Sequence, residues 1–418
     1  MTRLLLPLLT LIALPATAEP RWYKGNTHTH TLWSDGDDFP EMIIDWYKTK
    51  GYDFLGLSDH NILQDKEMWM DTTALQKRRK KLGKPTMDKY IARFGDDWVE
   101  TREKGGKTEV RLKKMDDYAP KFNEDGKFLL VKAEEISAGF KTSPIHINAV
   151  NIQETIAPVK DDVDVPTTIR SNLKLVADQA RRLGIPILTH INHPNFRWGL
   201  TAEDLAAIDD ERFFEIFNGH PMIYYEGDEH HYGHEMLWDI ANTLRLGSLN
   251  MPVMYGVGTD DSHDYHGEES SPGRGWVVVR AEKLEATALV NAMYAGDFYA
   301  SSGVSIDDVA FKDGKLNIRI KGEPGVQYTT VIRGTPKGYD STTEPVTMPG
   351  KDPQPTRKRY SKDIGTTFAT VTGTEVSYTP TGKELFFRAV ITSTKPHPNP
   401  TYKGQTEMAW TQPIVGKP

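Results

Sequence analysis

The feature that most constrains the fold is an alternation of short, β-rich apolar runs with helical patterns between residues 22 and about 300. Parallel strands need a crossover connection, usually a helix, so the alternation predicts repeated βα units around a parallel sheet. Seven or eight such units favour a barrel over an open sheet. Strands are predicted at 22–28, 54–58, 128–136, 145–152, 185–190, 213–218, 253–258 and 276–280, and helices at 40–50, 168–183, 202–208, 235–246 and 284–295.

The pattern changes from about Val304. Gly, Pro and Thr become frequent, helical periodicity ends, and alternating strands recur, as at 315–321 and 385–392. This texture is typical of a small antiparallel sandwich. The sequence therefore predicts an α/β barrel at residues 19–303, followed by a small C-terminal β-sandwich accessory domain at residues 304–418.

A basic segment interrupts the predicted barrel. Residues 75–115 contain 14 Lys and Arg against 6 Asp and Glu, whereas the whole chain has a formal net charge of −7. We expect a helical insertion at about 65–127, with the basic run 77–81 on a helix. Charge runs usually face water, so a solvated insertion is the simpler interpretation. The alternative is a cap whose positive field draws anionic substrates toward the barrel.

The first 18 residues have the pattern of an export signal. Arg3 provides a positive start, residues 4–14 are mostly apolar, and residues 16–18 (Ala-Thr-Ala) have the small-x-small form of a signal peptidase site. The apolar run is shorter than the roughly 20 residues that a bilayer span needs, so we expect no stable membrane insertion. An exported chain without Cys fits a bacterial periplasm or exterior, because disulfides are common in eukaryotic secreted proteins.

The chain contains 13 His and no Cys. The absence of thiols excludes a disulfide framework, a thiolate zinc site, an iron–sulfur cluster and a cysteine nucleophile, so any metal must be bound by imidazole and carboxylate groups. The acidic net charge argues against a general nucleic-acid binder, which is normally basic. The sequence has no convincing Gly-x-Ser-x-Gly elbow, Walker A loop or Gly-x-Gly-x-x-Gly fingerprint. Serine hydrolases, P-loop NTPases and Rossmann oxidoreductases are therefore disfavoured.

Many of the histidines, and several carboxylates, stand where predicted strands end. His28 and His30, at i and i+2 of an extended segment, face the same side and can present two nitrogens to one metal. Active sites of barrels are built at the C-terminal ends of their strands, so six such clusters in order predict a metal site there. The clusters contain His28, His30 and Asp35; Asp59 and His60; Glu134 and Glu135; His146; His193; and Asp260, Asp261 and His263.

In this order the motifs resemble the polymerase and histidinol phosphatase (PHP) superfamily, whose metal ligands come from strand-end motifs on a distorted (β/α)7 TIM-like barrel. Within it they look most like the exported metallohydrolases of the CehA/McbA group. The resemblance covers roughly residues 22–303, and the C-terminal sandwich looks like an appendage of the same group. The motifs are 25–31 (Gly-Asn-Thr-His-Thr-His-Thr), 33–36 (Trp-Ser-Asp-Gly), 135–137 (Glu-Ile-Ser), 217–221 (Phe-Asn-Gly-His-Pro) and 255–263 (Tyr-Gly-Val-Gly-Thr-Asp-Asp-Ser-His).

The resemblance implies a site with two or three divalent ions, and Zn²⁺, Mn²⁺ and Fe²⁺ all suit imidazole plus carboxylate. Glu135 is preferred to Glu134 because it precedes Ile-Ser and because adjacent strand residues point to opposite faces. Glu135, Asp261 and His263 would also act in catalysis. The implied ligands, ion by ion, are His28, His30, Glu135 and Asp261; then Glu135 as a bridge with His146 and His193; and then Asp35, His60 and His263.

Two ions that share a carboxylate can hold a bridging water and lower its pKa, so this ligand set points to hydrolysis without a Ser or Cys nucleophile. The superfamily implies phosphate mono- or diesters, and the closer group adds carboxylic esters and carbamates as the alternative. The expected partner is a small, anionic ester. Candidate substrate contacts are Asn218, His220 and Arg274, although a surface role for Arg274 is an equal interpretation.

Two other classes of function compete with this one. A metal-stabilised binding protein could use the sandwich to grip a partner, but about nine candidate ligands exceed what one closed structural site needs. A nucleic-acid grip on segment 75–115 is disfavoured because its aromatic residues are only Tyr90, Phe94 and Trp98, too few for a base-stacking platform. A second group of histidines, His230, His231 and His234, stands in an acidic loop where a structural or surface role is the simpler interpretation.

Overall fold

The computed structural model shows a mixed α/β protein. None of the described helices is both long and apolar enough to cross a bilayer. The predicted export signal at 1–18 and the side chains of the basic run at 77–81 lie outside the described residues. The described residues are 19–78, 86–160, 163–267, 269–347 and 357–416.

The helices carry the local signals expected of them. The longest, α5, starts after Asp164, whose carboxylate accepts a hydrogen bond from the Thr167 backbone N–H at 2.7 Å, and ends at Gly184 with φ of 68°. The α-helices in the described residues are α1 Pro40–Thr49, α2 Thr72–Arg78, α3 Thr86–Phe94, α4 Met115–Phe122, α5 Val165–Leu183, α6 Ala202–Ala206, α7 His234–Gly247 and α8 Ala286–Tyr294.

The strands outnumber the helices, most markedly in the C-terminal third. The described strands are β1 Arg21–Asn26, β2 Phe54–Leu57, β3 Met68–Asp71, β4 Thr101–Lys104, β5 Lys107–Leu112, β6 Leu129–Phe140, β7 Ser143–Val150, β8 Leu188–Ile191, β9 Phe213–Asn218, β10 Tyr255–Thr259, β11 Trp276–Ala281, β12 Phe298–Ser301, β13 Ile306–Lys312, β14 Lys315–Ile320, β15 Tyr328–Pro336, β16 Thr343–Val346, β17 Arg357–Tyr360, β18 Thr366–Thr372, β19 Glu375–Tyr378, β20 Glu384–Pro396, β21 Thr406–Thr411 and β22 Ile414–Val415.

The strands that carry the predicted ligands are neighbours in the order β10-β9-β8-β7-β6-β2-β1. The two outer members also meet, because Thr29 after β1 forms a parallel bridge with Ser262 after β10. The backbone N–H of His30 donates to the Ser262 carbonyl, and that of Asp261 to the His28 carbonyl, both at 3.0 Å. The segments that follow β1 and β10, far apart in sequence, therefore lie side by side.

The sequence predicted a uniform series of parallel βα units, and the structure differs from this prediction. Strand β7 runs antiparallel to both β6 and β8, while β1 and β2, β2 and β6, β8 and β9, and β9 and β10 pair in parallel. Only residues 141 and 142 separate β6 from β7. A parallel connection needs a dozen or more residues, so this short link forces a hairpin.

The insertion after β2 is only partly helical, in contrast to the helical insertion predicted at 65–127. Strands β3, β5 and β4 form an antiparallel sheet, with α2 and α3 between β3 and β4. The insertion is attached to α1 by Tyr90, whose ring stacks on Phe39 with centroids 3.9 Å apart. The Tyr90 hydroxyl also donates to Glu41 at 2.5 Å and accepts from the Trp98 indole at 2.9 Å.

The C-terminal region shares its main sheet with the ligand-bearing strands. Strand β11 pairs with β1, β12 joins β11 to β21, and the sheet continues through β20 and β15 to β18. Strands β13, β14 and β19 form a second sheet, and an apolar core that includes Leu316, Ile318, Phe387 and Ile391 lies in this region. Backbone hydrogen bonds between β12 and β21 thus cross the boundary predicted near Val304.

A group of charges also joins the two regions; we call it the interdomain cluster and define it as the buried Asp239 and Arg388 with the partly exposed Glu235 and Arg333. The Arg388 guanidinium donates to both carboxylate oxygens of Asp239, at 2.8 and 3.1 Å. Arg333 lies 2.8 Å from Asp239 and 3.3 Å from Glu235. Two carboxylates and two guanidinium groups balance one another, so helix α7 is held against β15 and β20.

Candidate metal centre

His28 and His30 lie just after β1 and are fully buried. The Nε2 atom of His28 is 3.2 Å from the Asp261 Oδ1 atom and 3.4 Å from Glu135 Oε1. The Nε2 atom of His30 is 3.2 Å from the same Asp261 oxygen and 3.3 Å from Glu135 Oε2. Two imidazoles and two carboxylates therefore direct ligand atoms toward one small volume.

These atoms fit a metal ion better than they fit one another. Within the described residues His28 Nε2, His30 Nε2 and Glu135 Oε2 are buried and have no hydrogen-bond partner, a state that buried polar atoms rarely keep. Ligand atoms about 2.1 Å from a tetrahedral metal ion are about 3.4 Å apart. The separations between the imidazole nitrogens and the carboxylate oxygens match this spacing.

Glu135 is at the centre of a wider set of ligands. Its carboxylate is 2.8 Å from His60 Nδ1, 3.0 Å from His146 Nδ1 and 3.3 Å from His193 Nε2. The hairpin of β6 and β7 brings Glu135 and His146 to one face of the sheet, while His60 and His193 follow β2 and β8. Counting His28 and His30, five imidazoles contact this one carboxylate, as a ligand shared by several ions requires.

Asp35 lies at the outer side of the same set, and its side chain is 56% exposed. It is 3.4 Å from His263 Nε2, 3.5 Å from His60 Nε2 and 3.6 Å from His30 Nδ1. The His30 and His263 rings are stacked with centroids 4.1 Å apart. This side of the site is therefore the one open to solvent.

Every ligand candidate predicted from the sequence belongs to this set, which we call the metal cluster. Its members form four overlapping groups whose ligand atoms lie within 4.8 Å of one another. The groups differ from the implied sets, because Glu135 pairs with His28 and His193 in one and with His60 and His146 in another. They are His28, His30 and Asp261; His28, Glu135 and His193; His60, Glu135 and His146; and His30, Asp35, His60 and His263.

The electrostatics of the metal cluster also favour a cation. Among the described residues, no Lys or Arg forms an ion pair with Asp35, Glu135 or Asp261, whose charged partners are imidazoles. Burial alone would lower the pKa of His28, but Asp261 and the neighbouring carboxylates raise it well above its usual value. The carboxylates thus create a strong negative field that protons or divalent cations must neutralise.

Glu215 is the residue that sequence reasoning missed. It is fully buried in β9, and its Oε1 atom is 2.6 Å from His28 Nδ1, so it orients Nε2 of that ring toward the cluster. Its Oε2 atom accepts from the His193 backbone N–H at 2.7 Å. Burial alone would raise the pKa of Glu215, but the adjacent His28 lowers it to about 2. A lone Glu in the apolar strand Phe213–Asn218 was the available signal.

Three residues of the site have a strained backbone. His193 and Asp261 have φ angles of 27° and 48°, and Asn61, next to His60, has φ of 53°. Non-glycine residues rarely adopt such angles, which cost on the order of 1–3 kcal/mol each and occur mainly at functional sites. The strain turns the chain sharply after β2, β8 and β10, so that the ligands face one another.

The predicted substrate contacts have three different environments. His220 lines a cavity above the metal cluster, but Asn218 and Arg274 do not. The Asn218 amide instead donates to Glu215 at 2.8 Å and to Asp261 at 3.1 Å, so it orients carboxylates. The Arg274 guanidinium donates to the backbone carbonyls of Gly219 and Glu269, at 2.9 and 2.5 Å. Its position is structural, beneath the loop that carries His220.

In the acidic loop, His231 and His234 are packed rather than gathered into a site, and the partly exposed His230 lies 3.2 Å from Glu229. His231 is stacked on Trp198 with centroids 3.9 Å apart, and its Nδ1 atom is 2.7 Å from Asp228. His234 is buried at the start of α7, and burial lowers its pKa to about 4. These contacts agree with a structural role.

The cavity above the metal cluster has a volume of about 200 Å³. One wall consists of cluster residues, and the other consists of His220 and three apolar side chains. Among the described lining residues there is no Lys or Arg. The lining residues are Asp35, His60, Glu135, His146, His193, Phe196, His220, Met222, Ile223, Asp261 and His263.

No protein-family model matches the sequence, and a comparison with curated proteins found no significant match. Solved structures that match the chain include two with low sequence identity. A two-domain protein of Bacteroides vulgatus that contains a predicted PHP-like metal-dependent phosphoesterase has a TM-score of 0.41 and 14% sequence identity, over 97% of this chain and 99% of that one. A candidate metal-dependent phosphoesterase of Bifidobacterium adolescentis has a TM-score of 0.29 and 13% identity, over 61% of this chain and 91% of that one.

Proposed function

We propose that this protein is a metal-dependent hydrolase of ester bonds, with phosphate mono- or diesters as its first substrate class. The observation that carries the proposal is the convergence of nine imidazole and carboxylate side chains, Glu135 among them, in four groups of metal-ligand geometry. Divalent Zn, Mn or Fe ions bound there would lower the pKa of a bound water and stabilise charge on the attacking and leaving oxygens.

The protein residues around the cluster have distinct tasks in this scheme. Glu215 fixes the His28 ring, and Asn218 holds both Glu215 and Asp261 by hydrogen bonds. His220 Nδ1 accepts the Met222 backbone N–H at 3.2 Å, which leaves the proton on Nε2. The His220 ring lines the cavity, so this N–H group can donate to a substrate oxygen or to the leaving group.

A second substrate class, carboxylic esters or carbamates, is favoured by one specific observation. Among its described lining residues the cavity has no Lys or Arg, and Phe196, Met222 and Ile223 give it an apolar wall. A phosphate monoester is a dianion, and it would depend on the metal ions and His220 alone for its neutralisation. An uncharged ester could use the same bound water and the apolar wall. We place this class second.

The wider assignments are parts of the same proposal. We propose that the protein is exported to the bacterial periplasm or exterior by a signal peptide at 1–18. Its domains would be a PHP-type distorted (β/α)7 barrel at 19–303 and a β-sandwich accessory domain at 304–418. Within the PHP superfamily, the strand-end motifs support a place near the exported CehA/McbA group. The ligands proposed are the nine residues of the metal cluster, with Glu135, Asp261 and His263 in catalysis.

The test compares four ester classes on one preparation. The mature protein would be purified and its metals counted by mass spectrometry. Aryl phosphate, bis-aryl phosphate, aryl ester and aryl carbamate would then be assayed side by side, with and without chelation. We expect at least two divalent ions per chain and hydrolysis that chelation abolishes and metal restores. Full activity after thorough chelation, or in both His28→Ala and Asp261→Ala, would contradict the proposal.

A further inference from the structure

Two loops form the wall of the cavity that faces the metal cluster. The first, residues 194–201, carries Phe196, whose ring centroid is 5.3 Å from that of His193 and 6.2 Å from that of His146. The second, residues 219–225, carries His220, Met222 and Ile223. Neither loop belongs to a strand or to a long helix, so contacts with the rest of the chain must fix both.

The first loop is strained. Arg197 and Trp198 are consecutive non-glycine residues with φ of 51° and 54°. Left-handed geometry costs roughly 1–2 kcal/mol per residue, so the turn persists only where other contacts determine it. The Trp198 ring is stacked on Tyr224 of the second loop with centroids 4.6 Å apart, and the buried Asn195 amide donates to the Tyr224 carbonyl at 2.9 Å. The two loops are therefore coupled.

The C-terminal region holds the strained turn through strand β17. Arg357 is buried, and its guanidinium donates to the carbonyl of Trp198 and, at 3.4 Å, to that of Leu200. A buried guanidinium bonded to two carbonyls of one loop is a specific anchor, because leaving those carbonyls unpaired would be costly. Arg357 thus stabilises the turn that places Phe196.

The same region holds the second loop through residues 397–405. The Asn399 side chain donates to the Pro272 carbonyl at 3.0 Å and accepts from the Arg274 guanidinium at 3.3 Å. Arg274 in turn donates to the carbonyl of Gly219, and the Thr401 hydroxyl donates to the same carbonyl at 3.3 Å. A Cβ atom on Gly219 would lie 2.7 Å from the Arg274 Cβ, so the two are in close contact. His220 follows directly.

We propose that the C-terminal β-region completes the substrate pocket, with Arg357 and Asn399 as positioning residues for the two loops. This inference rests on the proposed function and deepens it. The wall opposite the metal cluster would contact the part of a substrate that projects away from the bound ions. Loosening of either loop should then weaken binding of large esters more than binding of small ones, and should leave the bound metal in place.

The test uses Arg357→Ala and Asn399→Ala in the full chain, each with a matched control. Lys358→Ala lies in the same strand and Lys403→Ala in the same loop, and both side chains are exposed. We expect hydrogen exchange to rise at 194–201 in Arg357→Ala and at 219–225 in Asn399→Ala, with metal content unchanged. For bis(4-nitrophenyl) phosphate we expect KM to rise about tenfold, the effect of one lost apolar contact, and kcat to change much less. For methyl 4-nitrophenyl phosphate KM should change less than threefold.

Each other outcome contradicts a stated part of the inference. Unchanged exchange in both variants would show that the C-terminal region does not hold the loops. Raised exchange with equal KM changes for both esters, or with loss of metal, would show that the loops are not a substrate wall. If wild type hydrolyses no ester in a metal-dependent way, the proposed function fails, and the exchange data still decide whether the two anchors exist. Arg357→Lys should restore only part of the loss, since lysine cannot bond both carbonyls with fixed geometry.

Discussion

The metal cluster and the interdomain cluster both gather charged groups with little contact with solvent, but only the interdomain cluster contains permanent cations. In the interdomain cluster Asp239 and Glu235 face Arg333 and Arg388 at 2.8 to 3.3 Å, and Glu235 also accepts from the Trp410 indole. In the metal cluster, by contrast, the carboxylates face imidazoles, and among the described residues no Lys or Arg pairs with Asp35, Glu135 or Asp261. Similar burial therefore serves two different purposes.

The difference shows what each group of charges needs from outside the chain. Buried ions are tolerated when a partner of opposite charge is in place, and the guanidinium groups supply it in the interdomain cluster. Around Glu135 the partners are imidazoles, which are cationic only when protonated. The metal cluster thus needs cations that the chain does not provide. The interdomain cluster should be equally stable with and without metal.

The sharpest way to break this comparison is Glu135→Gln. The substitution keeps the shape of the side chain but removes the charge that five imidazoles face. We expect metal content to fall and hydrolysis to drop on the order of 10⁴-fold, equal to about 5 kcal/mol, because each factor of ten costs 1.36 kcal/mol. Mass spectrometry of bound metal and steady-state assays measure both effects.

The neighbouring glutamate provides the control for that experiment. Glu134 is equally buried, but its carboxylate accepts from the Ile156 backbone N–H at 2.9 Å and lies on the opposite face of β6. Glu134→Gln should keep both metal and activity. Equal losses in the two variants would mean that burial of a carboxylate, and not metal binding, explains the metal cluster.

Asp239→Asn tests the other side of the comparison. Removing one partner of a buried ion pair leaves the guanidinium groups uncompensated and typically costs about 3–5 kcal/mol. We expect the free energy of unfolding, measured with urea at saturating metal, to fall by about this amount, while the number of bound ions stays the same. The exposed pair of Asp178 and Lys174 is the matched surface control, and Asp178→Asn should change stability little. Loss of metal in Asp239→Asn would show that the two clusters are not independent.

Much of the metal cluster could be predicted because the signal for each ligand is local in the sequence. His28 and His30 repeat at i and i+2, and His60, His193 and Asp261 follow short apolar runs, so residue type and strand position were both visible. The helices were also recognisable from periodicity and caps. The hairpin of β6 and β7 was missed because the apolar runs look alike whether their partners are parallel or antiparallel.

The other missed features depend on contacts between distant segments. Glu215 lies 187 residues from His28, and Arg357 lies 159 residues from Trp198, so no spacing in the sequence links either pair. Arg274 stood next to a predicted site motif, yet the fold uses its guanidinium to hold backbone carbonyls. Residue type indicates which chemistry is possible, but only the fold decides which partner takes the hydrogen bonds.

Glu215→Gln sharpens the comparison within the metal cluster itself. Glu215 does not belong to a ligand group but accepts from His28, and loss of such an orienting partner typically weakens metal binding about 10- to 100-fold. Competition with a chromophoric chelator measures the change. Glu211 is also buried and precedes the strand that carries Glu215. Glu211→Gln is the control and should leave metal affinity unchanged. An unchanged affinity in Glu215→Gln would show that His28 needs no orienting partner.

The smallest and most graded difference should appear on acidification, because the two clusters lose their charge balance at different pH values. Imidazole ligands must be unprotonated to bind metal, so we expect metal release on acidification, as protons compete with the ions for the ligands. In the interdomain cluster, burial alone would raise the pKa of Glu235, but Arg388 and Arg333 hold it below its usual value. A carboxyl group with a depressed pKa contributes stability that is present above its unfolded pKa, about 4.3, and is lost as the pH falls through the lower folded value. Acid titration should therefore release metal first, at a pH where the tryptophan fluorescence, to which Trp410 beside Glu235 contributes, is still native. A single transition, with metal release and the fluorescence change at one pH, would contradict the separation of the two clusters.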